Sequence, residues 1–91
     1  VNYDAKKNEV FPNPFSDEII VRYESEIETS LDLFLIDNNG RTIDHLKTLI
    51  QKGGQDILFQ IDSELPKGMY FLRMVSEGKA TFHKLLKQGI K

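Results

Sequence analysis

The sequence predicts an all-β fold: an immunoglobulin-like antiparallel β-sandwich of six to seven short strands. Three observations carry this. Runs of alternating apolar and polar residues recur at roughly the 8–12-residue spacing of a sandwich. Turn signals built from Gly, Pro and Asn separate them, and no stretch of useful length has a helical period. Finally, Leu65-Pro66-Lys67-Gly68-Met69-Tyr70 has the chemistry of a corner where the chain crosses between sheets. Pro66 presets one backbone dihedral and lacks a donor, and Gly68 can take a positive φ. Tyr70 has a ring to bury and a hydroxyl that needs a partner. In β-sandwiches such a tyrosine bonds backbone just upstream, which here points to residues 62–65.

The elements follow in order. Residues 1–8 are polar and without period, so they read as a linker or disordered segment ahead of a domain at 9–91. Glu9-Val10-Phe11 enters Pro12-Asn13-Pro14-Phe15. Two prolines flanking an asparagine exclude a central strand and predict an extended or turn segment at a sheet edge. Residues 17–25 form the first clear strand, with Ile19, Val21 and Tyr23 on one face. Residues 30–37 form the second, with Leu31, Leu33 and Leu35 facing the core and Asp32, Phe34 and Ile36 facing out. Asp37-Asn38-Asn39-Gly40 is a hairpin signal, because Asn39 and Gly40 both tolerate positive φ. In residues 41–49 the spacing of Ile43, Leu46 and Leu49 is not strictly alternating, which predicts a bulge or a short irregular stretch. Residues 51–55, with Gly53-Gly54, read as a flexible turn. Residues 56–62 carry Ile57, Phe59 and Ile61 in phase, and residues 69–75 carry Tyr70, Leu72 and Met74. Ser76-Glu77-Gly78-Lys79 reads as a second hairpin turn. Residues 80–87 close the domain, with Ala80, Phe82 and Leu86 expected inward. With no helices between them the strands pair antiparallel. Those starting at Ser30, Met69 and Ala80 are expected in one sheet.

Composition narrows the function classes. The chain has 91 residues, enough for one domain, and a net charge of −2 with the signs interspersed. Nucleic acid would want a basic stripe, and none is evident before the last few residues. With no cysteine there is no disulfide framework and no thiolate metal site. No apolar run reaches the length of a membrane span, so membrane insertion is not expected. No signal peptide opens the chain, and Val1 in place of an initiator methionine suggests a fragment or a processed form. His45 and His83 sit in separate strands without metal-ligand spacing. The serines lie at turns or strand ends outside any nucleophile motif. Asp37-Asn38-Asn39-Gly40 fails as a calcium loop, because its glycine comes at the fourth position and not the sixth and no glutamate closes at position 12. Gly53-Gly54 precedes no helix and so cradles no phosphate. The sequence therefore predicts no enzyme, no cofactor and no metal.

Four motifs stand in a familiar order: Val10-Phe11-Pro12-Asn13-Pro14-Phe15, then Leu33 through Asp37-Asn38-Asn39-Gly40-Arg41, then Asp62 through Gly68-Met69-Tyr70-Phe71-Leu72, then His83-Lys84-Leu85-Leu86-Lys87. Over residues 9–87 this resembles the C-terminal sorting domain of proteins exported by the type IX (Por) secretion system. The positions that match the family's motifs are Pro12, Asn13, Pro14, Asp37, Gly40, Gly68, Tyr70, Lys84 and Lys87. The resemblance implies an address label on a secreted cargo, placed after an N-terminal cargo domain. It implies recognition by the type IX machinery after the cargo reaches the periplasm, and in many members a sortase that cuts upstream and leaves the cargo at the cell surface or released. One departure is the continuation Gln88-Gly89-Ile90-Lys91 past the final lysine motif. Gly68 and Tyr70 read as scaffold within the signal, while Pro12 to Pro14 fit scaffold and signal equally. The competing classes are an immunoglobulin- or fibronectin-like adhesion or spacer module and, last, a carbohydrate-binding module, which would want exposed aromatics in a row.

One surface expectation follows from the periodicity. If the strands at residues 30–37 and 69–75 are neighbours, Phe34, Ile36, Met69 and Phe71 gather on one outer face. Such a patch either docks a partner (export machinery, cargo or a second copy of the domain) or is covered by residues 10–15.

Overall fold

A computed structural model of the chain describes residues 8–88. Seven strands follow one another there: β1 (Glu9–Phe11), β2 (Glu18–Ser25), β3 (Thr29–Ile36), β4 (Thr42–Ile50), β5 (Gly53–Gln60), β6 (Gly68–Ser76) and β7 (Lys79–Lys87). They form a three-stranded sheet in the order β1-β2-β5 and a four-stranded sheet in the order β4-β3-β6-β7. Every pairing within the sheets is antiparallel. β3, β6 and β7 share a sheet as expected, with β4 added at its edge. Compared with the seven-stranded constant-type immunoglobulin sandwich, the fourth strand lies beside the third and not in the opposite sheet.

Alternation places the core. Ile19 and Val21 of β2 and Phe59 of β5 meet Leu31, Leu33 and Leu35 of β3 and Tyr70, Leu72 and Met74 of β6. Phe15, Ile50, Ile61 and Leu85 complete the buried cluster. The expected bulge is present: Leu35 pairs with Asp44 but Ile36 pairs with Thr42, so Ile43 is the extra residue. The slip is confined to the start of β4; from Asp44 onward the rungs run regularly, so Leu46 and Ile50 fall on the inner face. Ile50 is buried, and Leu49 stands out in solvent.

Three local expectations are corrected. At residues 37–40 only Gly40 takes a positive φ, +86°. Asn39 does not need one, because the Asp37 side chain builds the turn: its Oδ1 accepts the N–H groups of Asn39 and Arg41, each at 2.9 Å. Gly53 and Gly54 do not make a free turn. They open β5 and pair with Ser25 and Glu24, and the Gln55 side chain closes the crossing by bonding both the N–H and the C=O of Gln51.

The third correction is in β7. Ala80, Phe82 and Leu86 face solvent, and Leu85 and Lys87 are buried. The cause is the two-residue turn at Glu77-Gly78, where both residues have positive φ (54° and 76°) as a type I′ hairpin requires. That turn pairs Ser76 with Lys79 and fixes every later rung: His83 opposite Leu72, Leu85 opposite Tyr70, Lys87 opposite Gly68. Directly opposed residues share a face, so the partners of buried Tyr70 and Leu72 are drawn inward.

Candidate functional site

The register brings the sequence motifs to one end of the sandwich. β3 ends at Ile36 opposite Phe71, and β7 ends at Lys87 opposite Gly68. The Asp37–Arg41 turn, the corner at residues 65–70 and the end of β7 are therefore neighbours. Tyr70, Asp37, Gly68, Arg41 and Pro66 all border one shallow cleft at this end.

The corner tyrosine behaves as expected with one correction. Its ring is buried, and its hydroxyl donates to the Pro66 carbonyl at 2.6 Å. The acceptor lies just beyond the expected residues 62–65. Those residues close a turn of their own, in which Asp62 accepts the N–H groups of Leu65 and Glu64. Burial pushes the Tyr70 phenol up from its ordinary range, and the nearby Asp37 carboxylate adds to the shift. Asp37 itself is held below the usual carboxylate range, chiefly by the Arg41 N–H, with burial opposing. Gly68 takes a φ of +141°, a conformation a side chain rarely adopts.

Pro12, Asn13 and Pro14 carry the chain from β1, in one sheet, to the edge of β7, in the other. There the Asn13 side chain acts like a piece of strand. Its Nδ2 donates to Lys84 O at 3.2 Å, and its Oδ1 accepts from Leu86 N–H at 2.9 Å. Phe15 continues the seam: its N–H donates to Leu86 O, its carbonyl accepts from Gln88 N–H, both at 2.9 Å, and it bridges Lys87 in parallel. The Phe15 ring is fully buried and meets Tyr70 edge-on, with ring centres 6.2 Å apart. This strap satisfies the backbone of the C-terminal half of β7.

The family model described as the secretion system C-terminal sorting domain matches residues 9–88. The chain belongs to this type IX family. A search of the curated proteins gave no match. Membership makes the chain a sorting signal domain and implies a protein that is secreted or held at the cell surface.

Within the sorting domain the two motif lysines part company. Lys84 is exposed, opposite Phe71 on the outer face of the four-stranded sheet. Lys87 is 1% exposed, and its Nζ donates to the carbonyls of Ser63 and Gln88, both at 3.3 Å. No carboxylate among the described residues pairs with it. The periodicity hid this, but counting rungs back from a two-residue Glu77-Gly78 turn would have shown it.

Phe34, Ile36, Met69 and Phe71 do share the outer face of the four-stranded sheet. Ile36 and Phe71 are directly opposed, and Met69 is the most exposed of the four. The Phe34 ring is stacked on His45, with centres 4.4 Å apart, and the Arg73 guanidinium lies 5.1 Å from its centre. Residues 10–15 do not cover this face. They run to β2 and to the edge of β7. Sequence reasoning missed Arg73 and His45 as members of it, since a lone charge in a strand carries no sign of what it stacks on.

Proposed function

We propose that this sorting domain is the address label of an exported cargo, acts by being bound and catalyses no step. In this reading the type IX machinery recognises the folded domain in the periplasm and moves its cargo across the outer membrane. A sortase then cuts upstream, and the cargo is attached to surface lipopolysaccharide or released. One observation carries the reading beyond family membership: four motifs far apart in sequence assemble at one end of the sandwich. There the strap from Pro12, Asn13 and Pro14 fixes the strand that bears Lys84 and Lys87.

The test is a reporter with an export signal, fused ahead of residues 1–91 in a cell with a working type IX system. The reporter should reach the surface. Deleting residues 84–91 should hold it in the periplasm. Since that deletion cuts β7, circular dichroism of the purified fusion domain must first show that it still folds. Surface delivery unchanged by the deletion refutes a signal at this end.

A further inference from the structure

Among the described residues six large apolar side chains stand exposed, and four of them share one surface. Leu49, Met69, Phe82 and Leu86 all lie on the outer face of the four-stranded sheet, as the register of β3, β4, β6 and β7 shows. Half-buried Phe34, Ile36 and Phe71 fill the space between Met69, Phe82 and Leu86, while Leu49 stands apart beyond the Asp32–Lys47 rung. Reading across the strands, His45, Phe34, Arg73 and Phe82 form one rung, and Ile36, Phe71 and Lys84 another.

The charge on this face is opposite in sign to that of the whole chain. Lys47, Arg73 and Lys84 point outward here against one carboxylate, Asp32. That carboxylate is already engaged: Oδ1 lies 2.8 Å from His45 Nε2, and Oδ2 lies 3.9 Å from Lys47 Nζ. Arg73 and Lys84 pair with no carboxylate among the described residues. The opposite outer face, on β1, β2 and β5, carries Glu9, Glu18, Glu24 and Asp56 around a single Arg22, which is bound to Asp56 and Glu9. A chain of net charge −2 thus sorts its charges between two faces.

We propose that the outer face of the four-stranded sheet docks a partner protein whose contact patch is apolar at its centre and carries carboxylates opposite Arg73 and Lys84. The composition is that of an interface core, where aromatics, methionine and arginine are enriched. A contiguous apolar patch of this kind marks an interaction site. Two unpaired cations are too few to hold a nucleic acid backbone. A second copy docked through the same face would set Arg73 and Lys84 against their own kind.

The proposal rests on the sorting reading, so it is tested in the same reporter. Arg73→Glu with Lys84→Glu should lower surface delivery about tenfold or more, because it sets like charges against each other across the interface. Phe82→Ser, at a side chain 61% exposed, should lower it with the thermal midpoint unchanged. Glu18→Lys with Glu24→Lys, on the other face, should leave delivery intact. A photo-crosslinker in place of Leu86 should give an adduct with a different protein, lost in the Arg73→Glu, Lys84→Glu variant. Normal delivery of a folded Phe82→Ser or double-glutamate variant overturns the proposal, as does an adduct of two copies of the fusion. If the unaltered fusion stays in the periplasm, the sorting reading fails, and this proposal falls with it.

Discussion

Lys87→Met should leave the domain almost as stable as it is, whereas Lys87→Ala should unfold it far more easily. Lys87 is 1% exposed, so its ammonium has left water for two backbone carbonyls at 3.3 Å. A hydrogen bond from a charged donor contributes about 1.5–3 kcal/mol, and these two, just longer than the ordinary range, are weak examples. Against them stands a desolvation penalty of several kcal/mol for the buried ion, with no carboxylate among the described residues to offset it. The two effects nearly cancel. Methionine keeps the stem and discards both. The carbonyl left behind on Gln88 belongs to an exposed residue and can bond water. The net change for methionine is then about 0–1 kcal/mol. Alanine also removes three methylenes, at about 0.8 kcal/mol each, and leaves a cavity, for a loss of about 2–4 kcal/mol. Urea unfolding followed by circular dichroism reads both variants from their midpoints at a common slope. If methionine destabilises as much as alanine, the ammonium itself holds the end of β7, and the reasoning fails.

Tyr70→Phe removes the donor to Pro66 O and should cost about 1 kcal/mol, near the low end because Pro66 is exposed and its carbonyl can bond water; a loss above about 3 kcal/mol would mean that the whole corner has moved. Asp37 has a folded pKa below its ordinary value of 3.8, so its contribution is complete above that value and is lost as pH falls through the lower folded one. Asp37→Asn should therefore flatten the acid limb of stability against pH below about 4, and an acid limb parallel to that of the parent would argue against it. Glu77→Asn should raise stability by about 0.5–1 kcal/mol, since asparagine accepts the positive φ that Glu77 holds at 54° in a type I′ turn; a lower thermal midpoint would contradict this.

The architecture was legible because period 2 is a strong signal where one face is buried. Ile19 and Val21, the leucines of β3, and Tyr70, Leu72 and Met74 all face the core as their spacing requires. The corner was legible from Pro66, Gly68 and Tyr70, whose conformational limits are intrinsic. β7 was not, because both of its faces carry apolar residues and only the register separates them. Its register comes from the length of the Glu77-Gly78 turn just before it, which alternation within the strand does not encode. The same holds at the site. Pro12 and Pro14 announced an edge, but the partner of Asn13 lies 71 and 73 positions away along the chain, beyond any local pattern.

That separation has a consequence for when the signal comes into being. The strap from residues 12–15 has nothing to close on until residues 84–88 have been synthesised. Before then Phe15 lacks the strand it bridges, and β6 presents a raw edge that β7 alone can pair. A chain broken off anywhere upstream of Lys84 therefore lacks the assembled end of the sandwich. Folding of the domain acts as a proof of length, and only a chain translated through the last strand carries the finished sorting domain.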